Sequence, residues 1–222
     1  MERKIITTAD GSHTIHLSEW DEHYHSKHGA IQEAYHVFIK NGLSLFKNRE
    51  ISILEIGFGT GLNAFITCLE APKIELKVRY TGVEKYPVTP DEVKVLNYLD
   101  ELKAGRFKER FQSMHDSAWE KDVSICDTFQ LHKIQKDFSD LDFDDTFDLI
   151  YFDAFGARVQ PELWTETIFA RMFKALKNNG VLVTYAAKGS VRRAMQQVGF
   201  NVERLPGPPG KREMLRAVKR VC

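Results

Sequence analysis

Ile51-Ser-Ile-Leu-Glu-Ile-Gly-Phe-Gly-Thr-Gly-Leu-Asn63 decides how the rest of this chain is read. Ile51, Ile53, Leu54 and Ile56 form an apolar run suited to a parallel strand buried on both faces. The run ends in Gly57-x-Gly59-x-Gly61 and passes directly into a helical pattern, Leu62 to Leu69. Such a turn needs residues without side chains, because a ligand must lie against the backbone and the helix N-terminus. A Rossmann-type sheet holds a nucleotide-like cofactor at this place. The glycines alternate as G-x-G-x-G, and Glu55 stands two residues before the first. That spacing suits S-adenosylmethionine, whose ammonium wants a nearby carboxylate, better than a pyrophosphate. A dinucleotide site and a purely structural turn are the competing readings.

The chain has 222 residues, enough for one α/β domain with a substantial core. Its 31 basic and 31 acidic residues balance, so any polyanion must be met by a local patch. No apolar run approaches the roughly 18–20 residues of a membrane span, and no signal-peptide pattern precedes Met1-Glu-Arg-Lys4. Cys68, Cys126 and Cys222 are odd in number and far apart, unlike a disulfide frame or a zinc site. The expectation is a reducing, cytoplasmic compartment, no metal and a monomer.

Outward from the glycine loop, the pattern predicts an alternation of strands and helices. Residues 1–30 are polar and His-rich, with a turn at Asp10-Gly11-Ser12, and serve as a lid. A helix runs from Ala30 to about Phe46 with Ile31, Ala34, Val37, Phe38 and Leu45 on one face, interrupted or ended by Asn41-Gly42. The glycine-loop strand spans 51–56 and its helix 61–70; the second strand spans 76–84. Residues 90–125 read as a charged helical insertion, being longer than an ordinary connection. Strands follow at 129–137 and 147–152, then a helix from Pro161 to Leu176 stopped by Asn178-Asn179-Gly180. A strand at 180–187, a helix to Val198 capped by Ser190, and strands at 200–205 and 213–218 complete the chain. Five or so residues around Pro206-Gly-Pro-Pro-Gly210 cannot make a parallel crossover, so the last two strands pair antiparallel. An otherwise parallel sheet with one antiparallel strand near its C-terminus is the class I methyltransferase arrangement.

Open α/β sheets bind ligands beyond the carboxyl ends of their strands. There the first strand offers Gly57, Phe58, Gly59 and Gly61, with Asn63 opening the helix. The second ends in Glu84, beside Lys85, placed to accept ribose hydroxyls; the third ends in Asp137-Phe138, suited to an adenine. The fourth ends in Asp153-Ala154-Phe155, nearest the reactive methyl. Taken singly, Glu84 reads equally as a strand-end charge, Asp137 as a helix cap and Asp153 as a turn residue. In this order they point together to S-adenosylmethionine. Asp153 is then the candidate for holding an ammonium and taking its proton, while Phe155 and Phe58 offer faces for the donor or a base. Six of the eight histidines lie in residues 13–36 without cysteines or zinc-ligand spacing, which favours a lid over a metal site. Tyr24 in that lid is placed to cover the cofactor.

These segments resemble the methyltransferase domain of bifunctional tRNA 5-methylaminomethyl-2-thiouridine biosynthesis proteins, the MnmC family. The resemblance runs nearly end to end through Thr8-Ala-Asp-Gly-Ser12, Tyr24-His-Ser26, Leu54 to Asn63 and Glu84-Lys-Tyr-Pro87. It continues through Asp153-Ala-Phe155, Pro161-Glu-Leu-Trp164, Ser190-Val-Arg-Arg193 and Gly210-Lys-Arg-Glu-Met-Leu215. It implies methylation of the aminomethyl nitrogen of a wobble uridine in the tRNA anticodon loop, with Asp153 as the catalytic residue. It also implies a stand-alone form, without the flavin oxidase fused in the two-domain members. Gly156-Ala-Arg158-Val-Gln160 departs from the Pro-Ala-Lys-Asn common there, which leaves the grip of that loop on tRNA open. Arg158, Arg192, Arg193, Lys211 and Arg212 are the candidate RNA contacts, with Arg216, Lys219 and Arg220 nearby. A methyl- or aminopropyltransferase acting on small amines and a silent RNA- or protein-docking module are the alternatives.

Overall fold

The computed structural model describes residues 2–220, so Cys222 lies outside the described residues. The chain opens with a small antiparallel sheet, β1 (Arg3–Thr7), β2 (His13–Leu17) and β3 (Glu22–His23). The Asp10-Gly11-Ser12 turn joins β1 to β2, so the expected lid is folded as a hairpin rather than left irregular. Asp10 organises that turn: its Oδ1 accepts from the Ser12 N–H at 3.2 Å and from the Thr8 hydroxyl at 2.7 Å. The predicted long helix is α1 (Ala30–Ala34) continuing as a π-helix over Tyr35–Lys40. It stops at Asn41-Gly42, and Leu45 lies exposed in a 3-10 turn instead of on the buried face.

Among the described residues the main sheet has eight strands: β4 (Arg49–Ile56), β5 (Leu76–Glu84), β6 (Asp122–Cys126), β7 (Phe129–Gln135), β8 (Phe147–Phe152), β9 (Leu176–Thr184), β10 (Phe200–Pro206) and β11 (Glu213–Lys219). Their order is β10-β11-β9-β8-β4-β5-β7-β6. β4 pairs in parallel with β5 and β8, and β11 lies antiparallel between β9 and β10. Helices α2 (Leu62–Glu70), α3 (Pro90–Lys94), α4 (Tyr98–Glu101), α5 (Lys108–Asp116), α6 (Glu166–Ala175) and α7 (Gly189–Gln197) complete the fold.

Two apolar layers pack against the sheet. One gathers Phe38, Phe65, Tyr80, Tyr98 and Phe111; the other gathers Phe147, Phe152, Trp164, Phe169 and Met195. All six residues of β8 are buried, as a central parallel strand covered on both faces requires.

Three expectations are corrected. The insertion is helical only to Asp116; Asp122–Cys126 is an edge strand paired antiparallel with β7. Helix α6 ends at Ala175, and Asn178-Asn179-Gly180 forms an irregularity inside β9, with Asn179 at φ 63° where Asn is tolerated. Ser190 lies within the first turn of α7, and Lys188 stands at its N-cap without a side-chain cap.

Among the described residues no helix is long and apolar enough to cross a membrane. No group of three His, Cys, Asp or Glu side chains among them is arranged to hold a metal ion.

Candidate active site

The chain runs outward from β4 through β5 to β7 and then returns to β8 on the other side of β4. That reversal opens a cleft at the C-terminal ends of β4 and β8. The cleft holds a cavity of about 860 Å³. Its floor is the glycine loop, locked by backbone bonds from the Gly57 and Phe58 N–H groups to the Val83 carbonyl at 3.0 and 2.9 Å. Gly57 sits at φ 90°, and a Cβ there would lie 2.6 Å from the Asp153 carbonyl oxygen. Gly59 sits at φ 50°, with the Tyr24 ring 3.1 Å from where its Cβ would be.

Of the residues singled out for the cofactor, Tyr24, Gly57, Phe58, Gly59, Asn63, Glu84, Lys85, Asp137, Phe138 and Asp153 line this cavity. Glu84 closes β5, and its carboxylate accepts from the Gly59 N–H at 3.1 Å and the Tyr86 N–H at 2.9 Å. Asp137 is a cap, the plainer of the readings weighed for it, and it also pairs with Lys85. Its Oδ1 accepts from the Ser139 N–H at 2.9 Å, capping a short turn, while Oδ2 takes the Lys85 ammonium at 2.6 Å. The Lys85 bond and the Ser139 bonds hold the Asp137 carboxyl down at about 2.

Glu55 and Gly61 do not line the cavity. Glu55 is fully buried behind Asn63, whose amide donates to Glu55 Oε1 at 2.9 Å and to Asp153 Oδ2 at 2.8 Å. Burial pushes the Glu55 carboxyl well above the usual range, and it lies beneath the floor rather than on the cavity wall. Gly61 is the N-cap of α2, at φ 72°, and faces His115 and Phe58. The Phe58 ring packs edge-on to Trp119 and His115 and covers Gly82, so most of it belongs to the core.

Asp153 follows β8 directly, and its N–H donates to the Ile56 carbonyl at 2.9 Å. Burial raises its carboxyl to about 7, with Glu33 adding to the rise and Asn63 and Lys211 opposing it. Phe155 stands beside it under a small aromatic roof: Tyr24 and Trp20 meet its ring edge-on at 5.1 and 5.6 Å. The Trp164 indole N–H fixes the loop by donating to the Phe155 carbonyl at 2.7 Å. Trp20, His25 and Tyr185 line the cavity without having been singled out as site residues. Only the Asp10-Gly11 turn flanked by apolar residues signalled the hairpin that carries Trp20. His25 is bonded to the Thr14 hydroxyl at 3.0 Å, and desolvation lowers its imidazole to about 4, leaving it neutral.

The basic residues divide. Arg193 and Arg212 are exposed. Arg158, expected at the substrate, turns onto the Trp20 and Asp21 carbonyls at 3.1 and 2.9 Å and pairs with Glu22. Lys211 also turns inward, to Glu33 and to the Tyr185 ring 4.1 Å away. Arg192 is half-buried, its Nε without a hydrogen-bond partner. Arg216 forks onto Glu203, and the nearly buried Lys219 donates to the Leu176 carbonyl at 2.6 Å. Long cationic side chains find partners that chain order does not reveal.

The sequence model of the S-adenosyl-L-methionine-dependent methyltransferase family matches residues 100–220. The bifunctional tRNA 5-methylaminomethyl-2-thiouridine biosynthesis protein MnmC of Marinomonas sp. is 31% identical over 218 residues, covering 90% of this chain and 31% of that protein. Its counterpart in Hydrogenovibrio crunogenus is 29% identical, covering 88% of this chain and 31% of the relative. The chain therefore spans about a third of the length of these curated relatives. The crystal structure of MNMC2 from Aquifex aeolicus superposes with a TM-score of 0.80 at 24% identity, covering 100% of this chain and 71% of that one. At that identity the likeness speaks for the fold.

The cavity suits S-adenosylmethionine. Two glycines leave the backbone open where side chains would fill the floor, the Glu84 carboxylate faces in, and Asn63 Oδ1 is buried without a hydrogen-bond partner.

Proposed function

The chain belongs to the S-adenosyl-L-methionine-dependent methyltransferases, and from that premise we propose that it methylates the aminomethyl nitrogen of 5-aminomethyl-2-thiouridine at the tRNA wobble position. The product is 5-methylaminomethyl-2-thiouridine. The observation that carries this reading is the half-buried carboxyl of Asp153 beside an aromatic wall, lining a cofactor-sized cavity.

When bound, S-adenosylmethionine supplies a methyl group already activated by its sulfonium. Glu84 holds the ribose hydroxyls, Asp137 with Lys85 and Phe138 meets the adenine, and Gly57, Gly59 and Asn63 shape the floor. Tyr24 covers the occupied site. A primary amine arrives as an ammonium at neutral pH. Asp153, raised to about 7, receives one of its protons and leaves a lone pair on nitrogen. The aromatic roof excludes water and fixes the angle of approach, which is most of what such a transfer needs.

The wobble base sits in a single-stranded loop, so it enters the pocket without the melting of a duplex. Phe155 and Trp20 offer it stacking faces. Exposed Arg193 and Arg212 are assigned to anticodon-loop phosphates. The resemblance to the MnmC relatives supports tRNA as the acceptor.

The test is incubation with methyl-labelled S-adenosylmethionine and tRNA from cells lacking the modification, followed by nucleoside analysis. Label in 5-methylaminomethyl-2-thiouridine is expected. Label confined to polyamines or other small amines would replace this reading with a small-molecule amine transferase.

A further inference from the structure

Glu33 lies on α1, nearly buried at 6% exposure, and both of its oxygens are engaged. The Ser26 N–H donates to Oε1 at 3.2 Å, and the Lys211 ammonium pairs with Oε2. A buried ion pair is weak grounds for stability, because desolvating two charges offsets most of their attraction. The contacts of this one lead to the active site instead. The Lys211 ammonium sits over the Tyr185 ring, 4.1 Å from its centroid, and the Tyr185 hydroxyl donates to the Ala154 carbonyl at 2.8 Å. Ala154 adjoins Asp153. Three separate stretches of chain thus converge beside the Asp153-Ala154 segment: α1, the loop before β11, and the end of β9.

Resting on the reading of Asp153 as the proton acceptor, we infer that Glu33 and Lys211 are positioning residues whose paired charges set how strongly Asp153 holds a proton. The groups that interact electrostatically with Asp153 are Glu33 from α1, Lys211 from the loop before β11, Tyr185 after β9, Glu55 from β4 and Tyr80 from β5, with Asn63 of α2 donating to it. Burial pushes the Glu55 carboxyl and the two tyrosine hydroxyls well above their ordinary ranges. The paired Glu33 and Lys211 act on Asp153 with opposite signs, Glu33 raising its carboxyl and Lys211 lowering it. Paired, they pull on the carboxyl in opposite directions, while burial raises it most and the Asn63 hydrogen bond lowers it. Removing one partner unbalances it.

The experiment is the pH profile of kcat/KM for methyl transfer to undermodified tRNA, measured for the wild type, Glu33→Gln, Lys211→Met, Lys211→Arg and the Glu33→Gln/Lys211→Met double variant. The acceptor amine titrates identically in all of them, so differences report on the protein. In Glu33→Gln the rising limb moves to lower pH by about half a unit to one unit, because an unopposed ammonium favours the carboxylate. In Lys211→Met it moves to higher pH. Lys211→Arg and the double variant return close to the wild-type midpoint. A merely packing role would lower the rate without moving the midpoint. Unmoved midpoints in both single variants, with Asp153→Asn inactive, overturn this inference alone. Full activity in Asp153→Asn would instead overturn the reading on which it rests.

Discussion

Asp153 is held where a carboxylate is poorly solvated, and that placement has two measurable consequences. Replacing it with Asn keeps the shape of the site and the hydrogen-bonding reach to Asn63 but removes the proposed proton acceptor. Methyl transfer should fall by about 10²–10⁴-fold, while the donor dissociation constant, read by calorimetry, should change by less than about threefold. The second consequence concerns stability. A carboxyl with a folded-state value near 7 binds its proton more tightly folded than unfolded, where 3.8 applies. Its ionisation therefore opposes folding as pH rises from about 4 through 7. Asp153→Asn should stabilise the protein at pH 8 by on the order of 2–4 kcal/mol, with the gain vanishing below pH 4; a pH-independent difference in chemical denaturation would contradict the assignment. Asp153, Glu84 and Asp137 were legible in the sequence because each follows an apolar run, and a strand end fixes where its next side chain goes. The inward turn of Lys211 was not legible. Its partner Glu33 lies far away in sequence, and the pairing exists only once the sheet has closed.

At the level of elements, the glycine loop is the part most narrowly specified. Gly57→Ala places a Cβ 2.6 Å from the Asp153 carbonyl oxygen in a backbone region with φ 90°. We expect a loss of about 1–3 kcal/mol in folding stability and at least tenfold weaker donor binding; unchanged binding would show that the loop does not support the donor. The N-terminal hairpin is tied down differently. Arg3 of β1 reaches the Tyr86 and Pro87 carbonyls at 2.8 and 3.2 Å and Glu92 at 3.0 Å, with its guanidinium 5.9 Å from the Tyr24 ring centroid. Arg3→Ala should speed hydrogen exchange in β1 and β2 more than tenfold and quicken donor release, leaving exchange in β4 and β8 unchanged. The sequence read the central strands well because parallel strands covered on both faces are continuously apolar. It missed β1 to β3 and β6, which lie at the periphery, where only one face is covered and polar residues interrupt the alternation. Helix α6 was read from Pro161 to Leu176 but spans Glu166–Ala175 after a 3-10 turn at Pro161–Trp164, since Pro161 opens either kind of turn and Asn178-Asn179-Gly180 serves equally as a helix stop or as a bulge within a strand.

Over the whole molecule, charge balances, and several cations clustered late in sequence are spent on internal partners. RNA affinity in the proposed reaction then rests on a few exposed groups. The double variant Arg193→Ala/Arg212→Ala should weaken tRNA binding about tenfold and flatten the slope of log K against log salt by about 1–2; an unaltered slope would move the RNA contact elsewhere on the surface. In the proposed arrangement, sheet order, glycine cradle and strand-end carboxyls would place a donor across the tips of β4, β5 and β7 with its reactive end toward β8. A crystal structure with bound S-adenosylhomocysteine tests that arrangement most directly. The account predicts the ribose on Glu84, the adenine beside Asp137 and Phe138, and the sulfur turned toward Asp153; a ligand lying outside the cavity, or with its sulfur turned away from Asp153, would contradict it.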